Sequence, residues 1–461
     1  MNVELPHLWT PRLTQVPIWN FFFPDPRRKR AVVVAHRRFG KDLLALNLLT
    51  TVSQQIRATY WHLFPFFAQG RSIVWNGIDV NNGRAFMDYI PESLVESKSV
   101  NEMRVVFKNG SIYQIVGSDN IDRLVGTNPF GVVISEWSLC DPKVFDYLRP
   151  ILRENSGFAL FIYTIRGRNH GYRLAKKAEK LVADEISAGG ERRWFYANHT
   201  VKDSVRPDGT RYVTEADIDQ DRKEGMSEAM IQQEYYNSPD SPLEGAYYGS
   251  EMDKALKEGR ICDIKYEPKI PVETAWDIGV RDSTSIIFFQ RFDNEIRIID
   301  YYENSGEGLR HYVKLLQSKD YLYKKHYGPH DITVREWTGG NSRLEAARHM
   351  GVKFTVTQRH DVSDGIEQVR SVLPRCIFNG TACERLIDAL RAYRKDRAPD
   401  TLAYAGEDGV TPIFKDEPLH DWSSHAASAM DTLCWNNKTQ TMIGDEKWPK
   451  QERAVDNFEY C

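Results

Sequence analysis

An apolar run, Ala31-Val32-Val33-Val34-Ala35, passes directly into His36-Arg37-Arg38-Phe39-Gly40-Lys41-Asp42 and then into LLALNLLTTV at 43–52. The first run is short and valine-rich, as a buried strand is; the last is long enough for a helix. Strand, glycine-containing loop and helix in that order predict one unit of a parallel sheet. Further β-rich runs follow at 105–118 (VVFKNGSIYQIVGS), 131–135 (GVVIS) and 159–164 (ALFIYT), separated by helix-like stretches. Residues 1–195 are therefore predicted to form an α/β domain with a mostly parallel sheet.

The next zone, 196–265, is polar and rich in turns, and is expected to be a linker subdomain. It holds RPDGT, a charged helix-like stretch from Thr214 to Tyr236, and NSPDSPLEG. Thr214 and Asp217 have the spacing of a capping box, with Asp in place of Glu. From Thr274 the chain reads strand–turn–strand–turn–strand: TAWDIG, STSIIFFQRF and EIRIIDYY, with Asp293-Asn294 at the second turn. Three antiparallel strands followed by helices predict an α+β layer, a separate domain over 266–440. Residues 441–461 are expected to be a loose tail.

Composition narrows the partners. Lys plus Arg is 61 and Asp plus Glu is 64, a formal net charge of -3, which excludes a histone-like binder but not a basic groove. The six cysteines, 140, 262, 376, 383, 434 and 461, form no CxxC pair, so neither a disulfide framework nor a zinc module is expected. Apolar stretches fall short of the roughly 20 residues of a membrane span. The N-terminal MNVELPHLWTPRLTQ lacks the layout of a signal peptide. A soluble protein of a reducing cytosol, without a membrane partner, is the expectation.

A loop ending in Gly-Lys between strand and helix is the P-loop context. Gly40 permits close backbone approach to phosphate, Lys41 reaches the β/γ-phosphates, and the helix N-terminus adds N–H groups. The pattern is AxxxxGKD: Asp42 replaces the hydroxyl that usually meets Mg²⁺. A second strand, GVVIS, delivers Glu136 at its carboxyl end, where open α/β sheets bind ligands. Glu136 is expected to orient or deprotonate the attacking water. The residue before it, normally Asp, is Ser135, so Asp42 and Ser135 read as an exchanged hydroxyl–carboxylate pair. A third strand ends at Thr164, a polar sensor beside a γ-phosphate.

These residues, together with HLFPFFAQGRSIVW, GSDNIDRLVGTNP, GVVISEWSLCDP, IYTIRGRNHGY, QQEYYNSPDSPLEGAYY, AWDIGVRDST, GPHDITVRE and LHDWSSHAA, resemble the large terminase subunit of tailed bacteriophages over about 10–435. The resemblance implies an N-terminal P-loop (ASCE-type) ATPase domain and a C-terminal ribonuclease-H-like nuclease domain. It implies that ATP hydrolysis moves double-stranded DNA into a prohead and that the nuclease cuts concatemers. By position, Gln15 would contact adenine, with Arg38, Gly40, Lys41 and Asp42 around the phosphates. Glu136 would be the catalytic carboxylate, and Thr164 would couple hydrolysis to movement. Either Arg37 or Arg123 would be the arginine finger. The implied partners are the small terminase subunit and the portal, with a pentameric ring docked transiently on the prohead in the host cytoplasm.

For the nuclease, the resemblance makes Asp277 and Asp331 catalytic metal ligands, with Asp282 in the turn after Asp277. Such sites hold two divalent ions, Mg²⁺ or Mn²⁺. The family's third aspartate falls on Ser428. Asp421, Asp431 and His425 are spaced to reach the same helix face as Ser428. Candidate DNA-backbone contacts are Arg27, Arg28, Lys29 and Arg30; Arg166, Arg168, Arg173, Lys176 and Lys177; and Arg391, Arg394, Lys395 and Arg397. Residues 400–416 read as a hairpin that could gate the nuclease groove. The alternatives are a helicase-like translocase whose second domain binds DNA without cutting, and a scaffold with both sites decayed.

Overall fold

Valine and isoleucine at every position of a strand, rather than every second one, require cover on both faces. The computed structural model shows how this chain supplies it. It describes residues 4–119, 126–206, 208–240, 243, 245–279, 283–334, 342–397, 405–406, 409–410 and 414–437. The chain divides into two compact units, the main break falling between 241 and 242. Both units are α/β.

The main sheet of the first unit has eight strands: β1 (Arg30–Ala35), β2 (Thr59–Phe64), β3 (Val95–Ser99), β4 (Arg104–Phe107), β5 (Ile112–Gly117), β6 (Pro129–Ser135), β7 (Phe158–Tyr163) and β8 (Trp194–His199). Their order in the sheet is β8-β1-β7-β6-β2-β5-β4-β3. Every pair from β8 across to β5 is parallel, and β5-β4 and β4-β3 are antiparallel. The run at 105–118 is thus a hairpin rather than one strand. Gly110, at φ +81, makes the turn that Lys108-Asn109 begins.

Helix α1 (Val16–Phe22) precedes β1, and helix α2 (Lys41–Gln55) follows it. Ala31 and Val33 share one face with Tyr60, Phe64, Val133 and Leu160, under Leu44 and Leu48 of α2. Val32 and Val34 share the other with Trp61, Val132, Ile134 and Phe161. Helices α3 (Lys143–Glu154) and α4 (His170–Ala188) bring Leu148, Leu152, Ala175 and Ala178 to that second face.

The zone expected to begin as a linker at 196 cuts through β8, which pairs with β1 along its whole length. Residues 200–236 form a small cluster around Val201, Ile218 and Ile231. The stretch from Thr214 to Tyr236 is two helices, α5 (Glu215–Lys223) and α6 (Glu228–Glu234), because Gly225 sits at φ +96 and Ser227 caps the second. The Thr214–Asp217 capping box forms, with Asp217 Oδ2 accepting from the Thr214 amide at 2.8 Å.

The second unit opens with α7 (Gly249–Lys257). Its sheet holds β9 (Ile261–Cys262), β10 (Val272–Asp277), β11 (Thr284–Phe292), β12 (Glu295–Asn304), β13 (Tyr323–Gly328), β14 (Phe354–Val356) and β15 (Cys376–Asn379). The order is β9-β15-β12-β11-β10-β13-β14. The β10-β11-β12 meander is antiparallel as expected, and β13 joins β10 in parallel. Alternation again sorts the residues. Ala275, Ile287 and Phe289 face α9 (Val362–Val372), α10 (Glu384–Ala392) and α11 (Ser424–Trp435). Trp276, Ile286 and Phe288 face α8 (Leu309–Ser318). Residues 405–406 pair with 409–410, and the rest of the expected gating hairpin up to 413 lies outside the described residues. Among the described residues no helix is long and apolar enough to cross a membrane.

Close approach at Gly131 tests this packing. A Cβ there would lie 2.4 Å from the Phe158 ring and 2.8 Å from that of Tyr60. Both are residues of neighbouring strands that cannot retreat. Gly131→Ala is expected to destabilise the first unit by about 1–3 kcal/mol, read as a lowered denaturant midpoint.

Candidate active sites

Three neighbouring parallel strands end side by side in the first unit, and their ends carry the chemistry. β7 lies between β1 and β6, with Val34 opposite Tyr163 and Ser135 opposite Ile162. Lys41, Glu136 and Thr164, far apart in sequence, are brought together by that register. The Lys41 ammonium donates to Thr164 Oγ1 at 2.8 Å and to the Ala35 carbonyl at 3.1 Å, and stands 3.4 Å from Glu136 Oε1. Thr164 Oγ1 donates in turn to the Ala35 carbonyl at 2.9 Å.

Glu136 sits in left-handed backbone, φ +51, with its amide donating to the Ile162 carbonyl at 2.8 Å. A non-glycine residue there is strained, by about 1–3 kcal/mol, and such strain clusters at working sites. Its Oε2 is buried with no hydrogen-bond partner among the described residues. An orphaned carboxylate oxygen is an unfilled acceptor that a water molecule would satisfy.

Asp42, in the first turn of α2, meets Ser135 as the sequence suggests. Ser135 Oγ donates to Asp42 Oδ1 at 2.7 Å. Burial would raise the Asp42 carboxyl, but contacts from His62 and Ser135 and the charge of Lys41 outweigh it and hold it below the usual range. Among the described residues no hydrogen bond or ion pair reaches Asp42 Oδ2.

The loop itself is braced from outside. Gly40 takes φ +84 and Arg38 φ +69. Gln15 is 1% exposed, and its side-chain amide donates to the Phe39 carbonyl at 2.9 Å while its Oε1 accepts from the Arg12 amide at 3.0 Å. Its side-chain amide thus braces the loop. Arg12, absent from the expected set, donates to the Arg38 carbonyl at 2.9 Å and lies 4.0 Å over the Tyr212 ring. The Arg37 and Arg38 side chains are exposed; Arg37 offers its backbone amide to the Glu234 carbonyl at 2.9 Å. Glu234, also unforeseen, is buried and pairs with Arg166 at 2.9 Å. Arg123 lies outside the described residues.

In the second unit, Asp277 closes β10 and Asp331 lies in the turn just after β13, the parallel neighbour of β10. His425, near the start of α11, approaches Asp277 Oδ2 through Nδ1 at 3.1 Å. Burial pushes the Asp277 carboxyl up; His425 and His420 oppose this and Asp331 adds to it, for a net rise. Ser428 is exposed one turn beyond His425.

Neither distant aspartate stands in for the missing carboxylate. Asp421 pairs with Arg394 at 3.0 Å and accepts from the Ser423 amide at 2.9 Å, just ahead of α11. Asp431 accepts from His360 Nε2 at 2.8 Å, and that ring stacks on Trp435. Asp282 lies outside the described residues. Among the described residues no three His, Cys, Asp or Glu side chains cluster as a metal site would.

Several residues of the basic clusters have partners within their own unit, and the Arg27–Asp25 and Lys176–Glu179 pairs are solvent-exposed. Arg30 donates to the Lys29 and Gly157 carbonyls, Lys29 to the Phe21 carbonyl, and Arg28 to Ser156. Arg27 pairs with Asp25, Arg168 with Asp240, Lys176 with Glu179 and Arg391 with Asp253.

No protein-family model matches this chain, and no curated protein matches it. Solved structures do. The large terminase of a thermophilic bacteriophage is 12% identical, covering 92% of this chain and 98% of its own, with a TM-score of 0.37. The ATPase domain of the Thermus phage P74-26 large terminase is 18% identical over 51% of this chain and 99% of its own, TM-score 0.37. The cobalt-bound large terminase nuclease of phage G20c is 15% identical over 41% of this chain and 98% of its own, TM-score 0.28. These three solved structures are of large terminases or their domains.

Two stability measurements check the local chemistry. His36 is buried, with Nε2 2.7 Å from Ser204 Oγ, and burial lowers its pKa from 6.5 to about 4. The unfolded chain therefore binds the extra proton between those values, and stability is lost as pH falls from 6.5 toward 4. The slope is up to about 1.4 kcal/mol per pH unit. His36→Gln is expected to flatten the first unit's denaturation free energy over that window. Arg394→Leu leaves Asp421 buried and unpaired, and is expected to lower the second unit's stability by about 3–5 kcal/mol in the same assay.

Proposed function

We propose that this chain is the ATP-driven DNA translocase of a phage packaging motor, with a metal-dependent endonuclease in its second unit. One observation carries the first half. Lys41, Glu136 and Thr164 converge at the carboxyl ends of β1, β6 and β7, with Asp42 and Ser135 beside them. Lys41 would exchange its internal acceptors for β/γ-phosphate oxygens. Glu136, released from Lys41, would orient the attacking water and take its proton. Arg37, exposed on the loop, would meet the charge that develops on the transferred phosphoryl group. Mg²⁺ would supply charge neutralisation at the phosphates, and Asp42, whose Oδ2 meets no other group among the described residues, would hold it.

In the second unit, Asp277 and Asp331 would hold divalent ions, with His425 steadying Asp277. Metal ions at such a site activate water and stabilise the leaving oxygen. The packaging role, the small subunit, the portal, the five-membered ring and the host cytoplasm rest on the sequence resemblance. A second reading keeps the translocase and drops the cleavage. Exposed Ser428, with Asp421 and Asp431 both committed elsewhere, favours it.

ATP hydrolysis by the full chain in Mg²⁺, with DNA present, tests the first half. Lys41→Ala and Glu136→Gln are each expected to lower kcat by about 100-fold or more. Plasmid cleavage in Mg²⁺ and in Mn²⁺ separates the two readings. Cleavage abolished by Asp277→Asn supports the nuclease. Absence of cleavage by a chain that hydrolyses ATP selects the second reading.

A further inference from the structure

Strand β2 reads TYWHLF, and its alternate residues Tyr60, His62 and Phe64 face α2. Two of these are aromatic core residues. The third, His62, is 0% exposed, and a buried imidazole needs a partner at each nitrogen. It has them on both flanking strands. Its Nδ1 lies 3.2 Å from the Tyr113 hydroxyl of β5, and its Nε2 lies 2.9 Å from Ser135 Oγ of β6. Ser135 then donates to Asp42 Oδ1 at 2.7 Å.

The donors order themselves. With the Tyr113 hydroxyl donating to Nδ1, the ring proton sits on Nε2 and is donated to Ser135 Oγ. The Ser135 proton is then directed at Asp42. The chain of contacts crosses β5, β2 and β6 and ends at the first turn of α2. Nε2 also stands 3.6 Å from Asp42 Oδ1 itself. Every contact falls on that one oxygen, and among the described residues Oδ2 receives none.

Ordinary packing does not call for this arrangement. A leucine at 62 would fill the same face without needing two hydrogen-bond partners. What the relay does supply is a fixed carboxylate. Asp42 occupies a position where a hydroxyl would meet the cation with no help, because a hydroxyl brings no charge repulsion toward the triphosphate. A carboxylate there must be held in one orientation to serve.

Resting on the nucleotide reading above, we propose that His62 is a positioning residue. Through Ser135 it locks Asp42 Oδ1, so that Oδ2 is presented to the divalent cation that accompanies the nucleotide. Tyr113 fixes the His62 tautomer. The exchange of hydroxyl and carboxylate between positions 42 and 135 is thereby a working site with its own supporting residues.

The test is binding rather than turnover. The full chain is titrated with a fluorescent ATP analogue, once in EDTA and once in Mg²⁺, and the ratio of the two dissociation constants is taken. His62→Leu is expected to leave the EDTA value unchanged and to cut the Mg²⁺-dependent gain by about ten-fold or more, the range for losing a ligand's supporting partner. His62→Gln, whose amide places an N–H near the Nε2 position, is expected to restore most of the gain. Tyr113→Phe, which removes one hydroxyl from the core, is expected to cost a smaller part of it. A mere packing role would weaken both titrations together. The proposal is overturned if His62→Leu or, should that variant not fold, Tyr113→Phe keeps the wild-type ratio. If the wild-type chain binds the analogue in neither condition, the nucleotide reading itself fails, which the ratio among variants cannot mimic.

Discussion

A buried ammonium needs acceptors, and Lys41 finds them at the ends of three strands. Ala35 closes β1, Thr164 follows β7 and Glu136 follows β6. Burying that charge is costly unless it is paired and hydrogen-bonded. The pairing works only if β1, β7 and β6 are adjacent, parallel and in register. The apolar strands therefore serve the charge as much as the core. From Ala31 to Ala35 every residue of β1 is buried, alternate ones on opposite faces of the sheet. The same constraint sets Glu136 in left-handed backbone, since the chain must turn at once where β6 ends.

Around that centre the polar groups form a graded set. Gln15 and Arg12 hold the loop by its carbonyls, which fixes the loop without touching its amides. The Ser135–Asp42 contact and the His62 ring behind it hold the first turn of α2. Arg166 and Glu234 tie the segment after Thr164 to α6. Residues beside the loop that look basic or polar in sequence are committed to neighbours. The commitment is what keeps a charged loop in one shape.

The second unit shows the opposite economy. Its sheet mixes parallel and antiparallel pairs, and the acids near its edge are shared among different tasks. Asp277 has His425, Asp421 has Arg394, and Asp431 has His360. Spacing on a helix places Asp421 and Asp431 on the face of Ser428, but a buried carboxylate is claimed by whatever cation or donor packs against it. Arg394 and His360 come from other elements, and no spacing rule within α11 reveals them.

Much of this was legible from residue order. The valine run, the Gly-Lys loop and the leucine-rich segment after it specify a strand, a loop and a helix by local preference alone. Glu136 and Thr164 were recognisable because a polar residue directly after an apolar strand must emerge at its end. The meander from Thr274 to Tyr302 followed from alternation and from Asp293-Asn294. Tertiary structure decided the partners. His62 reads as one polar residue in an aromatic strand, and only β5 and β6 lying on either side of β2 make it a link from Tyr113 to Asp42. Gln15 and Arg12 became braces because α1 sits beside the loop, and Arg166, Arg391 and Arg394 became internal ties because acids from distant segments reached them. Local sequence sets backbone preference and which faces are apolar. Which charge meets which is fixed by the order and register of strands, and that information is spread over the whole chain.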